Sequence, residues 1–233
     1  MRIINQIVDT LLPPLCLVCQ KPSDTPGRCL CSDCETFLPE NLAACTHCGL
    51  TLEPTQLIVC GHCLKHPPIF DASWSAWRYE APVDTLLKGI KYHRQLAAAK
   101  LLGELMADRI TVSHQILPDA LLPVPLHRNR LWKRGFNQAV ELFRPVSRRL
   151  DIPMLLFDVQ RVRATPSQVG MDVRHRKKNL RDAFRVRSEL PDHIAIVDDV
   201  VTTGTTVSEL TRVLKQSGVK EVQVWSAARA EAP

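Results

Sequence analysis

After Cys63 the chain of 233 residues contains no further cysteine, although Cys63 is itself the ninth. Whatever the thiols do is therefore confined to the first part of the chain. Nor is there an apolar run approaching the roughly 18 residues that a bilayer-spanning helix requires. In the opening "MRIINQIVDTLLPPLC", Asp9 interrupts the apolar residues, so the uninterrupted core of a signal peptide is missing. A cytoplasmic protein is expected. Two familiar phosphate-binding signatures are also absent: neither the Walker spacing G-x4-G-K-[ST] nor the dinucleotide fingerprint G-x-G-x-x-G occurs.

What is present is ordinary in bulk and uneven in distribution. Hydrophobic content of 45% and charged content of 23% are globular values. The length suffices for one core-forming domain with a small module attached. Ile3, Ile4, Ile7, Leu11 and Leu12 fit one face of a short helix. The net charge is +6, but His127 to Arg187 holds 16 of the 30 Lys/Arg against five Asp/Glu, a local excess of +11. Such a concentration attracts a polyanion, either a phosphorylated small molecule or a nucleic acid, unless it is merely a solvated face.

Eight cysteines form four C-x-x-C pairs: Cys16/Cys19, Cys31/Cys34, Cys45/Cys48 and Cys60/Cys63. Adding 29 to the members of the first two pairs gives the last two, whereas Cys29 maps onto Ile58. The arithmetic marks an internal duplication and selects Cys31 over Cys29 as a ligand. Each unit, C-x2-C-x11-C-x2-C, suits four thiolates around one tetrahedral zinc, a closed and hence structural site. A short loop-rich segment cannot bury enough apolar surface alone, and metal binding supplies its folding energy. A disulfide framework fits neither the odd count nor a reducing compartment. His47 and His62 lie inside knuckles and are alternative ligands. One ion per repeat is favoured by the duplication, with interleaved pairing the alternative.

"KHPPIFD", Lys65 to Asp71, reads as a link, placing a zinc module at residues 1–66 and a second domain at 67–233. That domain alternates strands (Trp74–Tyr79, Ala120–Val124, Met154–Phe157, His193–Val197, Glu221–Ala227) with helices (Val83–Tyr92, Gln95–Ile110, Gln138–Leu150, Thr205–Ser217). Pro145 predicts a kink or break in the third helix. The fold class is α/β, a mostly parallel sheet with flanking helices, whose ligand sits beyond the carboxyl ends of the strands.

At one such end stand two adjacent acids, Asp198 and Asp199, followed by Thr202, Thr203, Gly204, Thr205 and Thr206. Hydroxyls, a glycine and free amides at a helix start make an anion site. Carboxylates repel phosphate, but they bind sugar hydroxyls or a metal. A ligand with phosphate beside a ribose diol satisfies both halves. An Asp pair capping a turn is the alternative, at the cost of unrelieved repulsion.

"IVDDVVTTGTT", Ile196 to Thr206, resembles the phosphoribosyl-pyrophosphate motif of type I phosphoribosyltransferases. That resemblance implies that Asp198 and Asp199 hold the ribose diol, and that Thr202 to Thr206 hold the 5′-phosphate with Mg²⁺ accompanying the ligand. A narrower resemblance covers nearly the whole chain. Double zinc knuckles, "LLKGIKYHRQLA", "PVPLHRNRLWKRGFNQA" and "RVRATPSQVGMDVRHRKKN" occur in the order found in the ComF family of bacterial competence and DNA-utilisation proteins, including its GntX-like members. By implication, Pro123 to Arg128 is the pyrophosphate loop and Arg161 to Asn179 a flap over the ligand. The flap also resembles a segment of glutamine phosphoribosyl-pyrophosphate amidotransferases.

The residues of these blocks agree. Arg128, Arg130, Lys133 and Arg134 suit pyrophosphate, with Arg128 and Arg134 placed to stabilise it as a leaving group. Trp132 and Phe136, lying among these cations, suit stacking on single-stranded bases, with core packing the blander alternative. Lys91, Tyr92 and Arg94 form a second, weaker basic patch. Three functions remain open: a protein of single-stranded DNA uptake or processing in natural transformation, acting with DNA or DNA-processing proteins; an active phosphoribosyltransferase, amidophosphoribosyltransferase-like, on an unidentified acceptor; and a non-catalytic sensor of phosphoribosyl pyrophosphate.

Overall fold

The computed structural model describes residues 13–53, 58–112, 116–163 and 182–231. The expected N-terminal helix and most of the flap, residues 164–179, lie outside these residues.

The chain begins with two knuckled ribbons, one carrying α1 (Ser32–Thr36) and the other α2 (Gly61–Lys65). Their 29-residue offset recurs bond for bond. Cys16 N–H donates to the Lys21 carbonyl and Cys45 N–H to that of Leu50, both at 2.8 Å; Leu17 N–H donates to the Cys29 carbonyl and Thr46 N–H to that of Ile58, both at 2.9 Å. Gln20 and Gly49, equivalent positions in the turns after the first knuckles, have φ of 63° and 70°.

The remainder runs β1 (Ala72–Arg78), α3 (Val83–His93), α4 (Leu96–Val112), β2 (Ala120–Pro123), α5 (Arg128–Arg134), α6 (Gln138–Leu150), β3 (Val159–Arg161), β4 (Phe184–Val186), β5 (His193–Val201), α7 (Thr205–Gln216) and β6 (Glu221–Arg229). Strands β1, β6, β5 and β2, in that spatial order, form a parallel sheet, and β3 pairs antiparallel with β4. Alternation along β5 explains the layers. Ala195 and Val197 join Leu102, Met106, Leu142 and Phe143 of α4 and α6 on one face. Ile194 and Ile196 join Val207, Leu210 and Leu214 of α7 on the other. Both faces are covered, as a parallel sheet requires.

Two expectations are corrected, and one basic stretch gains an element. Met154–Phe157 is not a strand: Met154 makes a single bridge to Leu121, and the extended segment lies later, at β3. The basic stretch Arg128–Arg134, to which the sequence pattern assigns no element, is a short helix capped by the His127 side chain, which accepts from Asn129 N–H at 3.3 Å. Helix α6 runs through Pro145 without the break that is the stronger of the two outcomes expected there. There α4 crosses so closely that a Cβ on Gly103 would lie 2.4 Å from the Leu142 carbonyl oxygen and 2.7 Å from Pro145 Cγ. Gly103→Ala should therefore destabilise the protein by about 1–3 kcal/mol through overpacking, measured by urea unfolding.

The ribbons are docked, not tethered. Backbone bonds from Ser73 N–H to the Thr46 carbonyl (3.1 Å), Asn41 N–H to that of Ala76 (3.3 Å) and Arg78 N–H to that of Pro39 (2.8 Å) cover the outer edge of β1. An edge strand left bare would invite pairing with other chains. Arg28 adds ion pairs to Glu35 at 3.3 Å and to Asp108 of α4 at 3.0 Å. Among the described residues, no helix is long and apolar enough to cross a membrane.

Candidate functional site

Strand β5 outlasts its neighbour β2. Their last paired residues are Pro123 and Val197, whereas β5 continues beside β6 to the pair Val201–Arg229. One edge of β5 is thus open from Asp198 onward, and the two acids occupy the last turn of the strand instead of lying beyond it. Asp199 N–H donates to Asp198 Oδ1 at 2.9 Å, and Val200 N–H to Asp199 Oδ1 at 2.8 Å. Burial, and then the adjacent Asp199 charge, push the Asp198 carboxyl well above the usual carboxylate range.

The chain then turns through Gly204, whose φ of 71° falls in the left-handed region that favours glycine. Gly204 is the N-cap of α7, and no side chain caps that helix. The first N–H groups of a helix have no intrahelical partner, so those of α7 face the loop, with the macrodipole favouring an anion. The Thr203 and Thr205 hydroxyls lie 2.9 Å apart. Asp198, Thr202, Thr203, Gly204, Thr205 and Thr206 together line one open cradle. Acceptors for hydroxyls or a cation thus adjoin donors for an anion.

Cations converge from sequence-distant elements. Arg134 is half-buried; desolvation lowers its pKa while the Asp199 charge opposes that shift. Arg161, at the start of the proposed flap, is pushed down to about 10 by burial and by Arg130, with the Asp198 charge acting in the opposite direction. Arg128 stands exposed on the first turn of α5. The two basic patches of the sequence form one mouth: the Arg94 guanidinium would lie 3.6 Å from a Cβ on Gly135, directly after α5. Trp132 is 83% exposed beside Lys133 and Arg130. Phe136, by contrast, is partly buried and packs against the core.

The thiols gather by repeat. Cys16, Cys19, Cys31 and Cys34 form one cluster and Cys45, Cys48, Cys60 and Cys63 the other, with all sulfurs of a cluster within 4.8 Å of one another. Neither Cys29 nor a knuckle histidine belongs to either group. The Cys19–Cys31 and Cys48–Cys60 sulfurs are each 3.8 Å apart. A tetrahedron of Zn–S bonds of about 2.3 Å has edges of about 3.8 Å, so both clusters are compatible with structural zinc. Burial raises the Cys16 thiol, but backbone N–H groups of Cys19, Cys31 and Val18 outweigh it and hold it at about 6. The same opposition, through Cys60, Cys48 and His47, holds Cys45 at about 7.

Comparison with known proteins follows this division. The family model "Double zinc ribbon domain" matches residues 7–64, and "Phosphoribosyl transferase domain" matches residues 137–232. Competence protein F of Haemophilus influenzae is 37% identical over 92% of this chain and 96% of its own. The chain belongs to the competence protein F family. The family also takes in the DNA utilization protein YhgH of Escherichia coli K12, 38% identical over 94% of this chain and 98% of its own. A solved glutamine phosphoribosylpyrophosphate amidotransferase of B. subtilis covers 55% of this chain and 26% of its own, with 20% identity and a TM-score of 0.36, too loose a likeness to carry an argument.

In this member of the competence protein F family, the fold adds residues that no motif marked. Tyr79, at the end of β1, has its hydroxyl pKa raised by burial; Lys88, 5.9 Å from its ring, opposes the shift, and Asp84 and Asp199 contribute to it. Arg229 reaches the loop from β6. Nothing local in the sequence singles out either residue. Their link to the acids is a matter of strand order, β6 lying beside β5 and β1 beside β6.

Proposed function

We propose that the chain binds phosphoribosyl pyrophosphate with Mg²⁺ at the β5–α7 junction and serves DNA utilisation in competence, in the cytoplasm, by handling single-stranded DNA. The observation that carries the ligand reading is that Asp198, adjacent to Asp199 at the unpaired edge of β5, lines one cradle with an uncapped helix N-terminus. Carboxylates alone would suit a cation and free amides alone an anion, but both together suit a phosphorylated sugar. The ribose diol meets Asp198 and Asp199, the 5′-phosphate meets Thr202 to Thr206, and Arg134 and Arg161 approach the pyrophosphate. Arg130 adds its charge to that of Arg134 and Arg161, while Arg128, Lys133 and Trp132 stand exposed on α5. The names of the relatives, a competence protein and a DNA utilization protein, support the wider role.

A catalytic reading draws on the same site. Displacement at the ribose would develop positive charge that two carboxylates can stabilise, while the arginines take the charge of the leaving pyrophosphate. Titration with phosphoribosyl pyrophosphate/Mg²⁺, followed by assay of pyrophosphate release with amine and base acceptors, separates an enzyme from a binding protein. Failure to bind at all removes both readings.

The DNA component has its own test. Affinity for single-stranded oligonucleotide should fall linearly in log K against log salt, by about 0.7 per phosphate neutralised. Arg130→Ala with Lys133→Ala should flatten that slope. Trp132→Ala should lower affinity by about 1–3 kcal/mol at every salt concentration with the slope unchanged, because stacking releases no counterions. No binding even at low salt would remove direct DNA contact.

A further inference from the structure

Arg229 is 7% exposed, and none of the ion pairs among the described residues includes it. A buried guanidinium must satisfy its donors locally. This one does so wholly with carbonyls, and the carbonyls belong to different parts of the molecule. Nε donates to Cys48 O at 3.0 Å, inside a knuckle of the second ribbon. Nη1 donates to Val201 O at 3.1 Å and also to Thr202 O and Ala230 O. Residues 48 and 201–202 are far apart in sequence, yet one planar, rigid fork spans them.

We propose that Arg229 is a positioning residue, a strut through which the second zinc ribbon holds the entrance of the Thr202–Thr206 loop in its anion-accepting shape. Two features make the coupling depend on metal. Cys48 is one of the four clustered thiols of that ribbon, so its carbonyl keeps its place only while the knuckle is closed. Four thiolates around one Zn²⁺ also carry a net charge of about −2, which compensates a buried cation otherwise supported only by carbonyl dipoles. Among the described residues the first ribbon makes no hydrogen bond to that loop, and it docks instead through the Arg28–Asp108 ion pair to α4 and through core packing around Trp77. Coupling between two binding sites is reciprocal. Ligand bound at the loop therefore tightens zinc in the second cluster by the factor that zinc tightens the ligand.

The functional half of this inference rests on the phosphoribosyl reading; the strut itself does not. The test uses the full-length, zinc-loaded protein and compares Arg229→Gln, Arg229→Lys and Cys63→Ser with wild type. Hydrogen exchange without ligand reads the amides of residues 202–206 against those of β2. Metal analysis reads zinc per chain, and calorimetry reads affinity for phosphoribosyl pyrophosphate/Mg²⁺. In Arg229→Gln the loop amides should exchange faster while those of β2 do not, with both zinc ions retained and ligand affinity reduced by about tenfold, within the usual range of coupling. Arg229→Lys, a single point donor, should restore the affinity only in part. Cys63→Ser should lose one ion and reproduce the loosened loop, which keeps the inference testable if Arg229→Gln does not fold. Unchanged loop exchange in both variants overturns the proposal, as does equal loosening of β2. If wild type fails to bind phosphoribosyl pyrophosphate, the ligand reading falls and the exchange comparison still decides the strut.

Discussion

Cys31→Ser should lose one of two bound zinc ions, and Cys29→Ser should lose none. The two thiols are separated by one residue, and only position 31 has a counterpart, Cys60, in the second repeat. The structure supplies the geometric reason, since Cys31 lies 3.8 Å from Cys19 whereas Cys29 belongs to neither cluster. The effect should extend beyond the ribbon. Cys16, Leu30 and Leu38 of the first repeat are buried in the same cluster as Trp77 and Met106 of the second domain. A structural zinc contributes about 10–16 kcal/mol of apparent binding energy at neutral pH, which is folding energy in a module of this size. Calorimetry should show a broad loss of thermal stability for Cys31→Ser or after chelation, against a near wild-type transition for Cys29→Ser. Equal zinc loss from the two variants would show that the clusters are not the metal sites.

Asp198→Asn combined with Asp199→Asn should abolish binding of phosphoribosyl pyrophosphate/Mg²⁺ without unfolding the chain. The acids stand at the open edge of β5, outside both hydrophobic clusters, so the core is unaffected. The single change Asp198→Asn should stabilise the ligand-free protein. Burial and the Asp199 charge raise the folded carboxyl above its ordinary 3.8. The unfolded chain releases this proton at lower pH than the fold does. Stability is therefore lost as pH rises from about 3.8 through the raised value, and that loss persists at neutral pH. Asparagine cannot ionise and is spared it. The melting midpoint of Asp198→Asn should exceed that of wild type near neutral pH, with the gap closing as the solution is acidified toward the ordinary carboxylate pKa. Undiminished ligand affinity in the double variant would sink the ribose assignment, and an unchanged midpoint in the single variant would deny the burial cost.

Local chemistry was legible in the sequence wherever neighbours in the chain are also neighbours in space. Knuckle spacing, the 29-residue duplication, the helix starts and the acid-then-threonine segment all depend on contacts within a few turns of backbone. Gln138–Leu150 was readable as a helix to the residue, because its apolar stripe and Asn137 cap are local. What misled was also local. Pro145 signals a break, yet the helix continues where α4 crosses it at Gly103, and Met154–Phe157 has a strand-like composition but only Leu121 to pair with.

The order of the strands decided the rest. Because β1, β6 and β5 lie side by side, Tyr79 and Arg229 come to the acids from about 120 and 30 residues away along the chain. Because β2 stops at Pro123, the acids have an open edge at which to meet a ligand. Trp132 on α5 is exposed whereas Phe136 just after it is partly buried against the core, a difference that two aromatics among the same cations could not reveal. Sequence by itself determined which groups carry thiolate, carboxylate and anion-binding chemistry, since those properties belong to side chains and short backbone turns. Which of them act on one another was decided only by the tertiary structure, because hydrogen bonds and charge coupling depend on distance through space.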